Sequence, residues 1–129
     1  MIEAAVFSVI SGDAGVAALV GTRIEPIRLP QGATLPAVTY QRISEVRQGT
    51  FAPAQKMPGV LFQVDCWGAT YSDSKGVAVA VRKALDEFKG PSAGETITAS
   101  LLENEIDQYE PDVKIYRTML EFRVWWLES

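Results

Sequence analysis

Three carboxylates, Glu103, Glu105 and Asp107, alternate along one stretch of the chain. On an extended strand, residues two apart share a face at ~7 Å. At that spacing acids can hold a hard cation or divide acid–base work. Either role needs more than proximity. A general acid needs burial or a like charge to raise its pKa, and this stretch reads as the solvated face of a strand. It is therefore read as an acidic edge that repels DNA phosphate. Cys66 falls on the core-facing side of a strand with no basic neighbour to lower its pKa, which makes it an inert buried thiol. The sequence contains no histidine, which removes Ser-His-Asp and Cys-His catalysis and His-ligated metal. Its glycines form neither dinucleotide nor P-loop spacing. Arg23, Arg28, Arg42 and Arg47 are scattered and read as ion-pairing surface residues. No catalytic, cofactor or metal site is expected, and the chain is not expected to be an enzyme.

The 129 residues suit a single domain spanning 1–129. A chain of that size buries roughly two-thirds of its unfolded surface without metal or disulfide. Hydrophobic residues make up 47% and charged residues 22%, a globular balance. The net charge of −4 and the lack of a basic run disfavour simple duplex binding. One cysteine allows no internal disulfide. No apolar run reaches the ~20 residues of a membrane span, and Glu3 together with the missing basic segment argues against a signal peptide.

The element around which the chain is organised runs from Gly59 to Phe88. Val60, Phe62, Val64 and Cys66 alternate onto one strand face; Leu61, Gln63, Asp65 and Trp67 take the other. Gly68 ends the strand and Ser72 or Asp73 caps a helix. On that helix Val77, Ala80, Val81, Ala84 and Phe88 group together, opposite Lys75, Arg82, Lys83 and Asp86. Before it come a helix over Ile2–Ile10, a second over Ala14–Val20 capped by Asp13 and ended by Gly21, an extended connector to Leu35, and a strand opened by Pro36. Gly90 to Gly94 reads as a flexible loop. Two long strands close the chain, Thr96–Tyr109 and Val113–Leu127. A three-residue turn over Glu110–Asp112 places even residues against even and Arg117 opposite Glu105 on the outer face. The expected fold is α+β, with a four-stranded, mainly antiparallel sheet packed against helices in the order α-α-β-β-α-β-β.

That sheet's outer face is not cleanly polar, since Leu61, Trp67, Met119, Trp125 and Leu127 fall there. Either the N-terminal helices cover it or another subunit does, because aromatic and Met residues are enriched in interface cores. Val79 interrupts the polar side of the helix, as an ordinary exposed valine or as a subunit contact. Phe51 and Met57 belong to a long irregular loop, Arg47 to Pro58; they tuck onto the core or meet a partner.

Four stretches together resemble the tail completion, or tail terminator, family of long-tailed bacteriophages, prophages and gene-transfer relatives: GVAALVGTRIEPIRLPQGATLPAVTYQRIS, FQVDCWGATYSDSKGVAVAVRKAL, LLENEIDQYEPD and YRTMLEFRVWW. Their order and spacing carry the resemblance, and Gly90 to Gly94 departs from it. The resemblance implies an α+β structural virion subunit without cofactor. It implies a ring, commonly hexameric, at the head-proximal end of the tail, assembled in the host cytoplasm. The implied partners are further copies of the chain, the tail tube protein and the head-completion complex, with DNA passing through the lumen and no membrane. Another connector or minor tail component is the alternative within that class. A small ligand-binding or hydrolytic domain is the alternative outside it, and that needs a pocket with convergent polar groups.

Overall fold

The computed structural model describes residues 1–46 and 59–127. Phe51, Met57 and the rest of the predicted loop lie outside the described residues, as does Arg47. The chain runs α1 (Ile2–Ser11), α2 (Ala14–Val20), β1 (Ile24–Pro26), β2 (Ala37–Val46), β3 (Gly59–Gly68), α3 (Tyr71–Leu85), β4 (Gly90–Ser92), β5 (Glu95–Glu110) and β6 (Ile115–Leu127).

The expected four-stranded antiparallel sheet is corrected to a six-stranded mixed sheet, ordered β1-β2-β3-β6-β5-β4 and curled into a half-barrel around three helices. The central four strands are antiparallel as expected, but β1 adds parallel to β2 through Ile24–Val38, Glu25–Thr39 and Pro26–Tyr40. Both additional strands are three residues long and lie in Pro- and Gly-bearing stretches too short for alternation to register. The predicted flexible loop at Gly90 is instead a hairpin. Ala93 and Gly94 both have positive φ, 47° and 86°, as a two-residue turn matched to strand twist requires.

All three helices lie on one face of the sheet. Val60, Phe62, Val64, Cys66, Leu120, Phe122 and Val124 from the sheet are completely buried against Val6, Ile10, Val16, Val20, Val77, Val81 and Leu85. The alternation expected of β3 and β6 is thus correct, and so is the burial of Cys66. Helix α1 bridges the curl by touching β4 at one edge of the sheet and β2, next to the other edge. Glu3 pairs with Arg42 on β2 at 2.8 Å, and the Ala5 carbonyl accepts from Ser92 Oγ on β4 at 2.8 Å. Asp13 caps α2 by accepting from the Val16 N–H at 3.0 Å, and Gly21 ends it, both as expected. The cap of helix α3 lies two or three residues before the predicted ones. Thr70 is its N-cap, and Thr70 Oγ1 accepts from the Asp73 N–H. Gly68 lets β3 run up against that first turn, since a Cβ there would lie 2.5 Å from the Ser74 nitrogen.

The hairpin joining β5 to β6 differs from its predicted register. Glu110 pairs with Ile115, leaving a four-residue turn, so odd residues of β5 lie opposite even residues of β6. A bulge between Leu102 and Asn104 restores the even pairing, Leu102 with Phe122 and Ser100 with Val124. Arg117 therefore faces Gln108, not Glu105, and Ile106 faces Met119 on the outer side rather than the core.

Candidate functional site

The bulge divides the acidic stripe. Arg123 projects from the outer face, and Glu103 pairs with it there in a two-pronged contact at 2.8 and 3.2 Å. Glu105 and Asp107 lie opposite Leu120 and Thr118, on the helix side. Lys75 from the first half of α3 reaches both, 2.5 Å from Glu105 and 3.1 Å from Asp107, and Arg82 adds a longer pair to Glu105 at 3.5 Å. Asp107 also accepts from the Tyr71 and Thr118 hydroxyls at 2.9 and 3.1 Å. Partial burial pushes the Asp107 carboxyl up, but these hydrogen bonds and the Lys75 charge outweigh it and hold it below the usual range. The bond to Glu105 raises the Lys75 ammonium, and the bond to Asp107 raises the Tyr71 phenol. This arrangement locks an ion pair rather than poising a proton donor. Three tyrosines extend it at the same end of the half-barrel, with ring centroids 4.9 Å apart for Tyr109–Tyr116 and 6.2 Å for Tyr71–Tyr116.

Among the described residues no three acidic or thiol groups are placed to hold a metal ion. Burial, then the neighbouring Asp65 and Glu105 charges, push the Cys66 thiol far up, so it holds its proton. Arg23 is spent on structure, donating through Nε to the Pro36 carbonyl at 2.9 Å. No single helix among the described residues is long and apolar enough to cross a membrane.

The outer face of the sheet is the more distinctive surface. Leu61, Trp67, Met119 and Trp125 share it as predicted, half-buried, and Leu127 stands half-exposed at its end. The N-terminal helices do not cover it, since they sit on the opposite side. Leu101 and Ile106, 46% and 41% exposed, join the same face; Ile106 was expected in the core because the bulge was not visible in the sequence, and Leu101, on the outer face by simple alternation, was not singled out. Two of the predicted residues are tied down. The Trp67 indole donates to Thr39 Oγ1 at 2.9 Å beneath the Arg117 guanidinium, 5.0 Å from its ring. The Trp125 ring covers Gly59, where a Cβ would meet it at 2.9 Å.

Arg117 organises this face, and residue type alone did not single it out. It pairs with Glu110 at 2.7 Å and Asp65 at 3.7 Å, and donates to Gln108 at 2.8 Å. Asp65 is only 4% exposed. Burial raises its carboxyl pKa, while bonds from Gln63 and Thr39 and the Arg117 charge oppose that rise. On α3, Val79 is 43% exposed and beside a shallow depression of about 380 Å³ lined by Arg82, Lys83, Asp86 and Glu87. Val79 lies two residues from both Val77 and Val81, about 200° around the helix from each, so it points away from the sheet.

Fold and surface define a small helix-backed half-barrel whose acidic stripe is ion-paired within the chain. The sequence matches the family model described as Tail completion protein gp17 over residues 4–127, and the chain belongs to that family. It is a structural protein of a phage-type tail. No curated protein matches it. Among solved structures, a chain in the virion of a native gene transfer agent particle superposes with a TM-score of 0.76 at 20% identity, covering 97% of this chain and 93% of that one. At that identity the likeness establishes the shared fold.

Proposed function

We propose that copies of this chain close into a ring, six by the family pattern, that caps the tail tube at its head-proximal end. In this reading the ring joins the tube to the head-completion complex, and DNA passes through its lumen without base-specific contact. The observation carrying the reading is a pair of unlike surfaces on opposite sides of one subunit. One is the sheet face that none of the described helices covers, with Leu61, Met119, Trp125 and Leu127; the other is the Val79 side of α3. Unlike patches are what head-to-tail closure and stacking between different neighbours require. The net charge of −4 suits a wall that does not adhere to phosphate.

Deletion of the coding sequence tests the role. The expected result is tails of uncontrolled length that fail to join heads, rescued by the intact chain. Tails of normal length, joined to heads, would overturn the proposal. Native mass spectrometry of the purified chain tests the ring, with a closed oligomer expected and a strict monomer in both free and tail-bound states opposing it.

A further inference from the structure

The chain leaves β1 through an unusual turn. Ile27 has φ 69°, and the Arg28 N–H donates back to the Pro26 carbonyl at 2.8 Å, so Ile27 is the centre of a tight three-residue turn. That turn form is rare and strained, and a β-branched residue suits it least. Glycine would take it without penalty. The turn therefore does not account for an isoleucine. The core does not account for it either. Ile27 is 69% exposed, more than any other large apolar residue described except Met1. What the isoleucine adds is its side chain, presented to solvent between exposed Pro26 and exposed Arg28. Strain of this kind concentrates at positions that make functional contacts. The Arg28 side chain has no ion pair or hydrogen bond among the described residues.

A hollow that fits such a knob lies on the other side of α1. It measures about 460 Å³ and sits between the ends of α1 and α3 and the β4 hairpin. Val9, Ala84, Phe88 and Pro91 line it with apolar surface, and Asp13 supplies one carboxylate. Asp13 Oδ2 caps α2, which leaves Oδ1 for another donor. The depression beside Val79 is a poorer receptor, with one apolar residue among four charged ones.

Knob and hollow face apart. The Ile27 N–H bonds the Tyr40 carbonyl, and the Tyr40 ring meets Phe7 on α1 with 5.7 Å between centroids. Val9 follows two residues later, about 200° around the helix, and lines the hollow. Two copies therefore cannot fill each other's hollows across a two-fold axis; each must reach onward to the next.

We infer that Ile27 of one copy enters the hollow of the next, with the Arg28 guanidinium reaching Asp13 of that copy. The contact sets apolar surface against apolar surface and a cation against an acid, and it propagates head to tail. It rests on the reading that copies assemble with one another, and it names residues for the side-by-side contact.

The test is assembly of the full-length chain, followed by native mass spectrometry over a concentration series. Ile27→Gly removes the side chain and relieves the turn. The half-assembly concentration is expected to rise about tenfold or more, the worth of a lost apolar anchor. Thermal melting of the unassembled subunit is expected to be unchanged or higher. Ser8 is exposed at the hollow, and Ser8→Trp obstructs it with a similar expected loss of assembly. The double variant is expected to assemble no worse than the weaker single variant, because both changes remove one contact. Additive losses would put the two residues in separate contacts and overturn the inference. Unimpaired assembly of Ile27→Gly would overturn it too, as would a lower melting temperature, which would assign Ile27 to the fold. Those results leave the ring standing, whereas a parent chain that assembles neither alone nor on tails overturns ring and contact together. An Ile27→Gly chain that self-assembles normally yet fails to join tails would give the knob to another tail component, and overturns the contact between copies.

Discussion

Glu105 lies directly across the ladder from Leu120, a completely buried core residue, so its carboxylate enters the helix-facing side of the half-barrel. A carboxylate in that position is tolerated because Lys75 arrives from α3, 2.5 Å away, and spans to Asp107 as well. The pairing ties the first half of α3 to the far end of β5.

Lys75→Met keeps the aliphatic stem and removes the charge. The stem stays packed, but Glu105 and Asp107 then face each other with only Arg82 as counter-charge. The pair is partly solvated, so the expected loss is modest, about 1 kcal/mol. Chemical denaturation measures it. Native-state hydrogen exchange is expected to quicken over residues 104–110 in particular. An unchanged midpoint and exchange pattern would show that the ion pairs contribute nothing to the docking of β5.

Ser100 is completely buried, and its hydroxyl has no hydrogen-bond partner among the described residues. Its backbone carbonyl is engaged by Glu87, so only the side chain is orphaned. Ser100→Ala removes that oxygen at almost constant shape. Stability is expected to hold or rise by up to about 1 kcal/mol, because an unpaired buried hydroxyl costs free energy. A loss of more than that would mean the hydroxyl finds a partner in solution.

Two glycines should respond unequally to alanine. At Gly68 the added carbon meets the Ser74 nitrogen at 2.5 Å and Asp73 Cβ at 2.8 Å, both fixed by the first turn of α3. At Gly59 it meets the Trp125 ring edge at 2.9 Å, and a half-buried side chain can shift more readily than backbone. Gly68→Ala is expected to cost about 2–3 kcal/mol and Gly59→Ala about 1, the usual range for overpacking. Thermal melts of the two variants decide it, and a reversed order would contradict the rigid contact at the start of α3.

Local chemistry made much of the fold legible. Asp13 and Gly21 bracket α2 because capping is encoded in the adjacent residues themselves. The alternation of Val60, Phe62, Val64 and Cys66, and of Leu120, Phe122, Val124 and Trp126, reports a sheet with helices on one side. The register of β5 was not legible, because it depends on a four-residue turn and a bulge that leave only a faint mark. Thr98, Ser100 and Asn104 were that mark, polar residues where continuous alternation required apolar ones. Thr70 was recoverable, since it stands three residues before Asp73, the spacing of a capping pair. Strands β1 and β4 were out of reach, each being three residues held by a neighbour rather than by its own pattern. Breaks in polarity singled out Leu61, Met119 and Val79, and placed Arg117 on the outer face but against the wrong partner. Ile27 was not singled out, since what distinguishes it is a backbone angle.

Asp65 and Asp107 should bend the pH dependence of stability in opposite directions. Asp107 is held below its unfolded pKa. Its stabilisation is present above the ordinary carboxylate range and is lost as pH falls through its lower folded value. Asp65 is raised, chiefly by burial against the outer sheet face. Its folded form therefore prefers the proton, so its contribution is fullest below the unfolded value and is lost as pH rises through the folded one. Asp65→Asn supplies a permanent neutral isostere. Relative to the parent, the variant is expected to gain stability steadily from pH 3 to pH 7, as the charge it lacks becomes costly to the parent. Asp107→Asn is expected to lose ground over the same interval, because Lys75, Tyr71 and Thr118 prefer the carboxylate. Denaturation midpoints of the three proteins across that range test both signs. Parallel curves for Asp65→Asn and the parent would mean that Arg117, at 3.7 Å, already compensates the burial in full.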